Sequence, residues 1–321
     1  VFRTSGPYGI AAAEPKVDFK KVRDHIRKVI AAIEPHDSAA RFEKLGVKVV
    51  PGAAKFRDAK TLESGGSIFS AKRIVIATGS RPAVPAIPGL ETVAYFTNET
   101  IFENSVLPKH LIIIGGGAIG MELAQAHRRL GSAVTVIEAF TPLAKDDPEL
   151  AAVVLESLRR DGVKIFAETA IKKISKAKPG IAIETAGHGK ITGSHLLVAT
   201  GRAANVEGLN LEAAGVVYTA KGVTVDKGLR TSQKHIYAIG DVAGGLQFTH
   251  VANYHAGLVI RNTLFRLPVS NRCDIIPHVT FSEPELAQVG FTEAQALKDY
   301  GPSIKVVRWP FLDNDRAQAE G

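Results

Sequence analysis

A glycine-rich loop between a buried strand and a helix constrains the fold of this chain more than any other feature. Residues 112–120 read Ile-Ile-Ile-Gly-Gly-Gly-Ala-Ile-Gly, with the glycine spacing G-x-G-x-x-G, and the apolar run 134–137 follows a helical stretch. A strand, a glycine loop, a helix and a second strand in this order are typical of a parallel sheet covered by helices. The region therefore predicts an α/β fold.

Each glycine of this loop predicts a separate role. Gly115 permits the tight turn, Gly117 lets a pyrophosphate approach the backbone, and Gly120 lets the helix pack closely on the strand. Ile119 lies in the first turn of that helix, whose free N–H groups and positive dipole favour an anion. Glu138 ends the next strand, where a carboxylate can accept hydrogen bonds from both adenosine ribose hydroxyls and repel a 2′-phosphate. The loop therefore predicts dinucleotide binding, with NADH preferred over NADPH.

The same alternation of strands and helices extends over the middle of the chain. Strands are predicted at 111–114, 133–137, 163–166 and 196–199, and helices near 118–130 and 148–161. Nearer the N-terminus, a helical pattern over 18–45 precedes strand-like runs at 47–50, 54–56, 67–69 and 73–76. None of the six tyrosines has a lysine four residues later, which disfavours the short-chain dehydrogenase class.

Two short sequences with the same strand context form a weak internal repeat. The apolar run 74–76 leads into Ala-Thr-Gly at 77–79, and Leu197-Val198 leads into Ala-Thr-Gly at 199–201. Glycine brings the backbone close to a partner at the carboxyl edge of a sheet, where open α/β sheets bind ligands. Both segments are therefore candidate ligand contacts.

A third strand ending carries an acid. The run 236–239 leads into Gly240-Asp241, and a carboxylate in this position can hold sugar-like hydroxyls. Thr249 and His250 open an apolar helix that is expected to reach about Leu267, so its positive end should lie near Asp241.

Composition excludes several classes of partner. The chain carries 40 basic and 32 acidic residues, a net charge of +8, but they are interspersed, which suits anionic small ligands and disfavours nucleic acid. No apolar run approaches the roughly 18 residues of a membrane span, and a cytoplasmic location is expected.

The single cysteine, Cys273, cannot form an internal disulfide. His250 and His255, five residues apart, are poorly spaced for one helix face, and no metal site is expected.

Together these motifs resemble the pyridine-nucleotide-disulfide oxidoreductase family of FAD enzymes, and within it the dihydrolipoamide dehydrogenase-like and mercuric reductase-like members. The resemblance covers essentially the whole chain. The segments that carry it are 77–80, 115–120 with Glu122 and Glu138, 199–202 with Asn205, 237–241, and 277–281 with Pro284 and Glu285.

The resemblance implies a role for each matching residue. The residues expected to line FAD are Thr78, Gly79, Ser80 and Asp241, with Gly240 beside them. The helix opening at Thr249 and His250 would face the flavin. Gly201, with Arg202 after it, would lie by the NAD. Glu122 matches an acid that the family pairs with a lysine beside the flavin.

The implied architecture is α/β, with two Rossmann-like dinucleotide-binding domains and the start of an α+β dimerisation domain. An FAD domain at 1–106 and 228–272 would surround an NAD domain at 107–227, and 273–321 would begin a dimerisation domain. The chain is expected to be a fragment of a homodimeric parent. It lacks the family's first glycine loop, its redox Cys-x4-Cys and its catalytic His, so no catalytic residue is expected here.

The expected function of the parent is hydride transfer between NADH and FAD, and onward to a disulfide or dithiol acceptor. Two alternatives stay open. The chain could be a nucleotide-binding module without turnover, or a family member whose acceptor is a quinone, a small oxidant or a metal ion.

Overall fold

The computed structural model describes residue 6 and residues 9–320, without the side chains of Cys273 and Glu320. The predicted domain limits at residues 1 and 321 lie outside the described residues. The helices are α1 (Phe19–Ile33), α2 (Ala39–Lys44), α3 (Ala118–Arg129), α4 (Pro148–Arg160), α5 (Thr249–Phe265), α6 (Glu293–Tyr300) and α7 (Asp315–Glu320). Across residues 9–320, none of them combines the length and apolar character that a membrane crossing requires.

The strands fall into one larger parallel sheet and several small sheets. They are β1 (Lys55–Phe56), β2 (Thr61–Ser64), β3 (Ser67–Ser70), β4 (Ile74–Ile76), β5 (Ser80–Pro82), β6 (His110–Ile114), β7 (Ala133–Ile137), β8 (Lys164–Phe166), β9 (Ile171–Lys176), β10 (Ile181–Thr185), β11 (Gly189–Gly193), β12 (His195–Val198), β13 (Arg202–Ala204), β14 (Tyr218–Thr219), β15 (Gly222–Val223), β16 (Ile236–Ala238), β17 (His278–Thr280) and β18 (Leu286–Gln288).

The larger sheet is parallel, with the order β12-β6-β7-β8. Alternate residues of β6 point to opposite faces. Leu111 and Ile113 pack against α3 and α4, whereas Ile112 and Ile114 pack against the antiparallel sheet β9-β10-β11. Because both faces are covered, these side chains are at most 5% exposed. The predicted α/β sheet is confirmed, with β7 at its predicted residues.

The antiparallel sheet β9-β10-β11 lies where the sequence predicts no strand. Its core side chains are apolar, and Ile174, Ile181 and Ile183 join the cluster beneath the parallel sheet. Exposed lysines at 172 and 173 interrupt the alternation of β9. The pattern of this strand is therefore too irregular to be identified by its periodicity alone.

A second core forms around the parallel pair β4 and β16, in which Ile74 lies beside Ile236. Residues between 204 and 223 pack into this core together with Phe56. Residues 90–101 pack instead on the larger sheet, where the Phe96 N–H donates to the Leu196 carbonyl at 2.8 Å. We therefore propose a division into a glycine-loop region, 87–201, and a flanking region, 54–82 with 202–265.

The N-terminal helical stretch is not one helix. α1 ends at Ile33, just before Pro35, and the Ser38 hydroxyl accepts from the Arg41 N–H to begin α2. Proline cannot donate the hydrogen bond that would continue a helix, which explains the break. The strand predicted at 47–50 is wrong, because the Val47 N–H donates to the Phe42 carbonyl and closes the end of α2.

The C-terminal segment is attached to the glycine-loop region through its first hairpin, β17-β18. Leu286 is buried in the same cluster as the helix-covered face of the larger sheet. The Gln125 side chain accepts from the Glu283 N–H at 2.7 Å and donates to the Glu283 carbonyl at 3.0 Å. Ser157 of α4 donates to the same carbonyl at 2.6 Å. Three hydrogen bonds thus fix this hairpin on α3 and α4.

Candidate functional site

The glycine loop has the backbone geometry that only glycine accommodates. Gly115 has a φ of +111°, and an added Cβ would lie 2.3 Å from the Ala199 carbonyl oxygen. A Cβ on Gly120 would lie 2.1 Å from the Gly115 carbonyl oxygen. Gly115 therefore lets the end of β6 approach the end of β12, and Gly120 lets α3 approach β6.

Gly117 differs, because nothing in the described chain occupies the space beside it. An added Cβ would meet no atom within 4 Å. Gly117 is the N-cap of α3, and no side chain of the described residues caps this helix. The first-turn amides, including that of Ile119, have no intrahelical partners. This helix end therefore offers unpaired N–H groups and a positive dipole beside open space.

Glu138 is held against the loop. Its Oε2 accepts from the Gly116 N–H at 2.5 Å, and its Oε1 accepts from the Phe140 N–H at 2.8 Å. Two backbone bonds fix the orientation of the carboxylate, yet each oxygen keeps a further acceptor position. The side chain is half-buried, so one side of it remains accessible.

Gly201 lies at the carboxyl edge of the same sheet, beyond β12. Its φ is +127°, and an added Cβ would meet no atom within 4 Å. The Thr200 hydroxyl donates to the Ala83 carbonyl at 2.7 Å, and the Ala83 N–H donates to the Gly201 carbonyl at 2.9 Å. This turn is therefore tied to the segment after β5 while one side of its backbone stays open.

The second set of predicted residues meets at the carboxyl ends of β4 and β16. Thr78, Gly79 and Ser80 follow β4, and Gly240 and Asp241 follow β16. The Ser80 hydroxyl donates to Asp241 Oδ2 at 2.5 Å. The parallel pairing of the two strands therefore brings both segments to one edge, as open α/β sheets require for a ligand site.

Arg202 connects the two edges. Its Nε donates to the Ser80 hydroxyl at 2.6 Å, and its Nη2 donates to the Ser80 carbonyl at 2.9 Å. The Nε lies 3.7 Å from Asp241 Oδ2, and Nη2 lies 3.8 Å from Glu99 Oε1. Its role as a cofactor-binding residue stays a prediction, and its side-chain contacts are with Ser80, Asp241 and Glu99.

Asn205 reinforces the same connection. Its side-chain N–H donates to the Thr78 carbonyl at 2.9 Å, and the Thr78 hydroxyl donates to the Asn205 carbonyl at 2.8 Å. The Asn205 N–H donates to the Gly79 carbonyl at 3.0 Å. The repeat noted in the sequence thus pairs with itself, since β5 and β13 follow its two copies and form an antiparallel pair.

α5 begins beside this edge with exposed residues. Thr249 and His250 are exposed, and no side chain of the described chain caps the helix. His250 Nε2 lies 2.7 Å from the Pro277 carbonyl, and its ring stacks on Phe248 at 5.4 Å. Phe248 stacks in turn on His278, whose Nε2 lies 3.5 Å from Asp146 Oδ1. Sequence reasoning missed this contact, since the residues are distant in the chain.

Glu122 has a different neighbour from the one expected. Its Oε1 accepts from the Phe281 N–H at 2.9 Å, at the start of the C-terminal hairpin loop. Burial raises the pKa of the Glu122 carboxyl, and the Phe281 bond opposes that shift. No lysine within the described residues forms an ion pair with it. Its expected lysine partner stays a prediction.

Comparison with known proteins agrees with this arrangement. The sequence profile described as pyridine nucleotide-disulphide oxidoreductase matches residues 9–256, and the profile of that family's dimerisation domain matches 276–321. The chain belongs to the pyridine nucleotide-disulphide oxidoreductase family. Members of this family depend on FAD and a pyridine nucleotide.

Several members of the family are similar over most of this chain. A mercuric reductase of Lysinibacillus sphaericus is 35% identical over 303 residues, which is 92% of this chain and 55% of that protein. A dihydrolipoyl dehydrogenase of Bacillus subtilis (strain 168) is 31% identical over 322 residues, 97% of this chain and 70% of that protein. The chain thus spans about half the length of the first of these relatives.

A solved structure of the family has the same fold. The HOCl-induced flavoprotein disulfide reductase RclA from Escherichia coli, in its Cu(II) complex, superposes with a TM-score of 0.87 at 30% sequence identity. The match covers 95% of this chain and 71% of that one. The chain therefore shares the fold of that flavoprotein disulfide reductase over the matched residues.

Proposed function

We propose that this chain binds NADH at the glycine loop and FAD at the edge formed by β4 and β16, as part of an enzyme that passes hydride between them. The observation that carries the proposal is the cluster of Ser80, Arg202 and Asp241, which joins the carboxyl ends of both sheets. This cluster supports two nucleotide sites on adjoining edges of one molecule.

The residues at both edges suit dinucleotides. Added Cβ atoms at Gly79, Gly117 and Gly201 would meet nothing within 4 Å, so the backbone is open at three strand or helix ends. Two of the helices, α3 and α5, begin without a side-chain cap among the described residues. Uncapped helix N-termini and open glycine backbone are the elements with which proteins bind phosphates.

Each residue then has a defined task. The α3 amides would bind the NADH pyrophosphate, Glu138 would accept from its adenosine ribose, and Asp241 would accept from hydroxyls of FAD. Bound FAD supplies the hydride chemistry, while the protein supplies placement and electrostatics. The exposed start of α5 presents partial positive charge at this edge.

The acceptor that we propose is a disulfide or dithiol, in keeping with the name dihydrolipoyl dehydrogenase among the relatives. Mercuric reductases among the relatives favour a metal ion as the second candidate, and a small oxidant or quinone is a third. One cysteine in the chain cannot form an intramolecular redox disulfide, which favours nucleotide binding without turnover as a further alternative. The match to the dimerisation domain supports a homodimer, and a cytoplasmic location remains a prediction.

Separate titrations with NADH and with FAD test the proposal. Calorimetry on the purified chain should show one site for each, with FAD weaker. NADH oxidation should then be followed with FAD present and with lipoamide, mercuric ion or a quinone as acceptor. Failure to bind NADH would overturn the proposal, and NADH binding without oxidation of NADH by any acceptor would favour the binding module.

A further inference from the structure

We infer that His255 is a positioning residue, whose neutral imidazole holds the Gly240-Asp241 turn in the shape that presents Asp241 to FAD, and that protonation of the ring releases the turn. This inference rests on the proposed flavin site. The sequence pattern identified His255 only as a poor metal ligand, so its role follows from the contacts that it makes.

The contact is a buried hydrogen bond between a helix side chain and a turn. The Gly240 N–H donates to His255 Nδ1 at 3.1 Å, and His255 is 3% exposed. Removing one partner from such a bond leaves a buried donor unsatisfied, which costs more than the bond itself contributes. The imidazole is therefore important for the conformation of the turn.

The turn depends on α5 at a second point. Gly240 has a φ of +65°, and an added Cβ would lie 3.0 Å from the Ala252 Cβ. Ala252 and His255 are three residues apart and so lie on the same face of α5. The next residue, Asp241, accepts from Ser80 at 2.5 Å. The helix thus fixes the peptide that precedes the candidate flavin-binding carboxylate.

The accepting role of Nδ1 determines the tautomer. A neutral imidazole that accepts at Nδ1 carries its hydrogen on Nε2. Nε2 is buried and has no hydrogen-bond partner within hydrogen-bonding distance among the described residues, and the polar side chain that influences the ring's protonation is Asn271. A protonated ring would carry a second hydrogen on Nδ1, directed at the Gly240 N–H. Two donors would then face each other, and the bond would be lost.

Few charges surround the ring. On α5 the titratable neighbour is Tyr254, whose ring centre is 6.0 Å away. On the turn the titratable neighbour is Asp241, whose carboxylate lies 3.7 Å from Arg202 Nε. The segment after α5 contributes the side chain of Asn271, which carries no charge. Burial lowers the pKa of His255 below its usual 6.5, while Asn271 opposes that shift.

The sign of the pH effect follows from the lowered pKa. The unfolded chain binds the proton more readily than the folded chain, so the stabilising contribution of His255 is complete above pH 6.5 and is lost as the pH falls towards the lowered pKa. The turn should therefore loosen as the pH falls below 6.5 towards the lowered pKa.

Hydrogen exchange of the Gly240 amide, expressed as protection relative to its intrinsic rate, tests the inference on the full chain without cofactor. Protection should fall in the wild type as the pH drops below about 6.5. In His255→Asn, whose Oδ1 can replace Nδ1 as acceptor, it should stay independent of pH. In His255→Leu it should be roughly tenfold lower at every pH. His195→Gln is the matched control, because burial also lowers the pKa of His195, which lies on β12.

FAD affinity provides the second measurement. With FAD alone as the probe, the wild type should bind more weakly as the pH falls from 7.5 through the lowered pKa of His255, and His255→Asn should not. Equal pH dependence of Gly240 protection in His255→Asn and in the wild type would overturn the inference, even if His255→Leu fails to fold. Absence of FAD binding at every pH, with the exchange pattern intact, would refute the proposed flavin site and leave the role of His255 in the turn supported.

Discussion

The glycine-loop region and the flanking region have similar strand endings, but the strands that carry these endings differ in their pairing and packing. In the glycine-loop region, β6 has a hydrogen-bonded neighbour on each side, and its apolar residues pack against helices on one face and a second sheet on the other. In the flanking region, β4 pairs with β16 alone among the described strands, and Val75 is 43% exposed. The first region is locally complete, whereas the second depends on contacts between distant segments.

The largest expected effect comes from separating the two regions. A chain of residues 87–201 should fold and bind NADH on its own, because it contains both faces of the sheet. A chain of 107–227 should be destabilised by on the order of 5 kcal/mol, since it loses Leu90, Val93 and Ile101, each worth roughly 1.5–3 kcal/mol when buried. Urea denaturation followed by circular dichroism compares the two. If residues 87–106 add no stability, the proposed division is wrong.

A smaller effect is expected from adding one side chain within the loop. Gly120→Val should lower the free energy of unfolding by about 3 kcal/mol, because its Cβ would press on the Gly115 carbonyl. Gly117→Ala is the matched variant, and it should change stability by less than about 0.5 kcal/mol while weakening NADH binding. Denaturation and NADH titration separate the two outcomes. Equal destabilisation by both substitutions would contradict the distinction between packing and ligand glycines.

The difference in affinity between NADH and NADPH tests the proposed nucleotide site of the glycine-loop region. NADH should bind more tightly than NADPH, and Glu138→Ala should narrow the difference by about 1.5–3 kcal/mol, the contribution of hydrogen bonds to a charged group. Calorimetric titration with each nucleotide measures it. Glu184→Ala, an exposed acid of β10, should leave the ratio unchanged. Tighter binding of NADPH to the wild type would refute the assignment of Glu138.

The smallest effect concerns the contact between the glycine-loop region and the C-terminal hairpin. The pKa of Glu122 is raised in the folded chain, so its contribution to stability is complete below pH 4.5 and is lost as the pH rises through the raised pKa. Glu122→Gln should therefore be more stable than the wild type near neutral pH, by about 1 kcal/mol at most, and equal to it below pH 4.5.

Glu207→Gln serves as the control, because its effect on stability should depend on pH in the opposite direction to that of Glu122→Gln. The Arg81 guanidinium, 2.8 Å away, holds the pKa of Glu207 at about 2, so this stabilisation is present above pH 4.5 and is lost as the pH falls towards 2. The variant should be less stable than the wild type at neutral pH. Thermal unfolding from pH 3 to 8 measures both. A Glu122→Gln difference that grows with acidity would contradict the assigned shift.

Local sequence predicted the glycine-loop region better than the flanking region. β7 occupies its predicted residues, and α3 and α4 each end one residue before their predicted limits, because apolar periodicity and glycine stops determine them locally. The family resemblance implied that Ser80 and Asp241 serve one site, and the two side chains are hydrogen-bonded. The sequence could not predict that Arg202 contacts both, or that residues 204–223 pack with β4, since these depend on pairing between distant segments.

The pairing of β5 with β13 has a consequence for the order in which this protein assembles during synthesis. Ser80 and Arg202 touch although 122 positions separate them, so the intervening segment leaves and re-enters the flanking region at one place. Once that segment has folded on the ribosome, its ends are already close, and the entropy of closing so long a loop no longer opposes the union of β16 with β4. Any folded unit with the same distance between its two ends should therefore be able to replace the segment between Ser80 and Arg202.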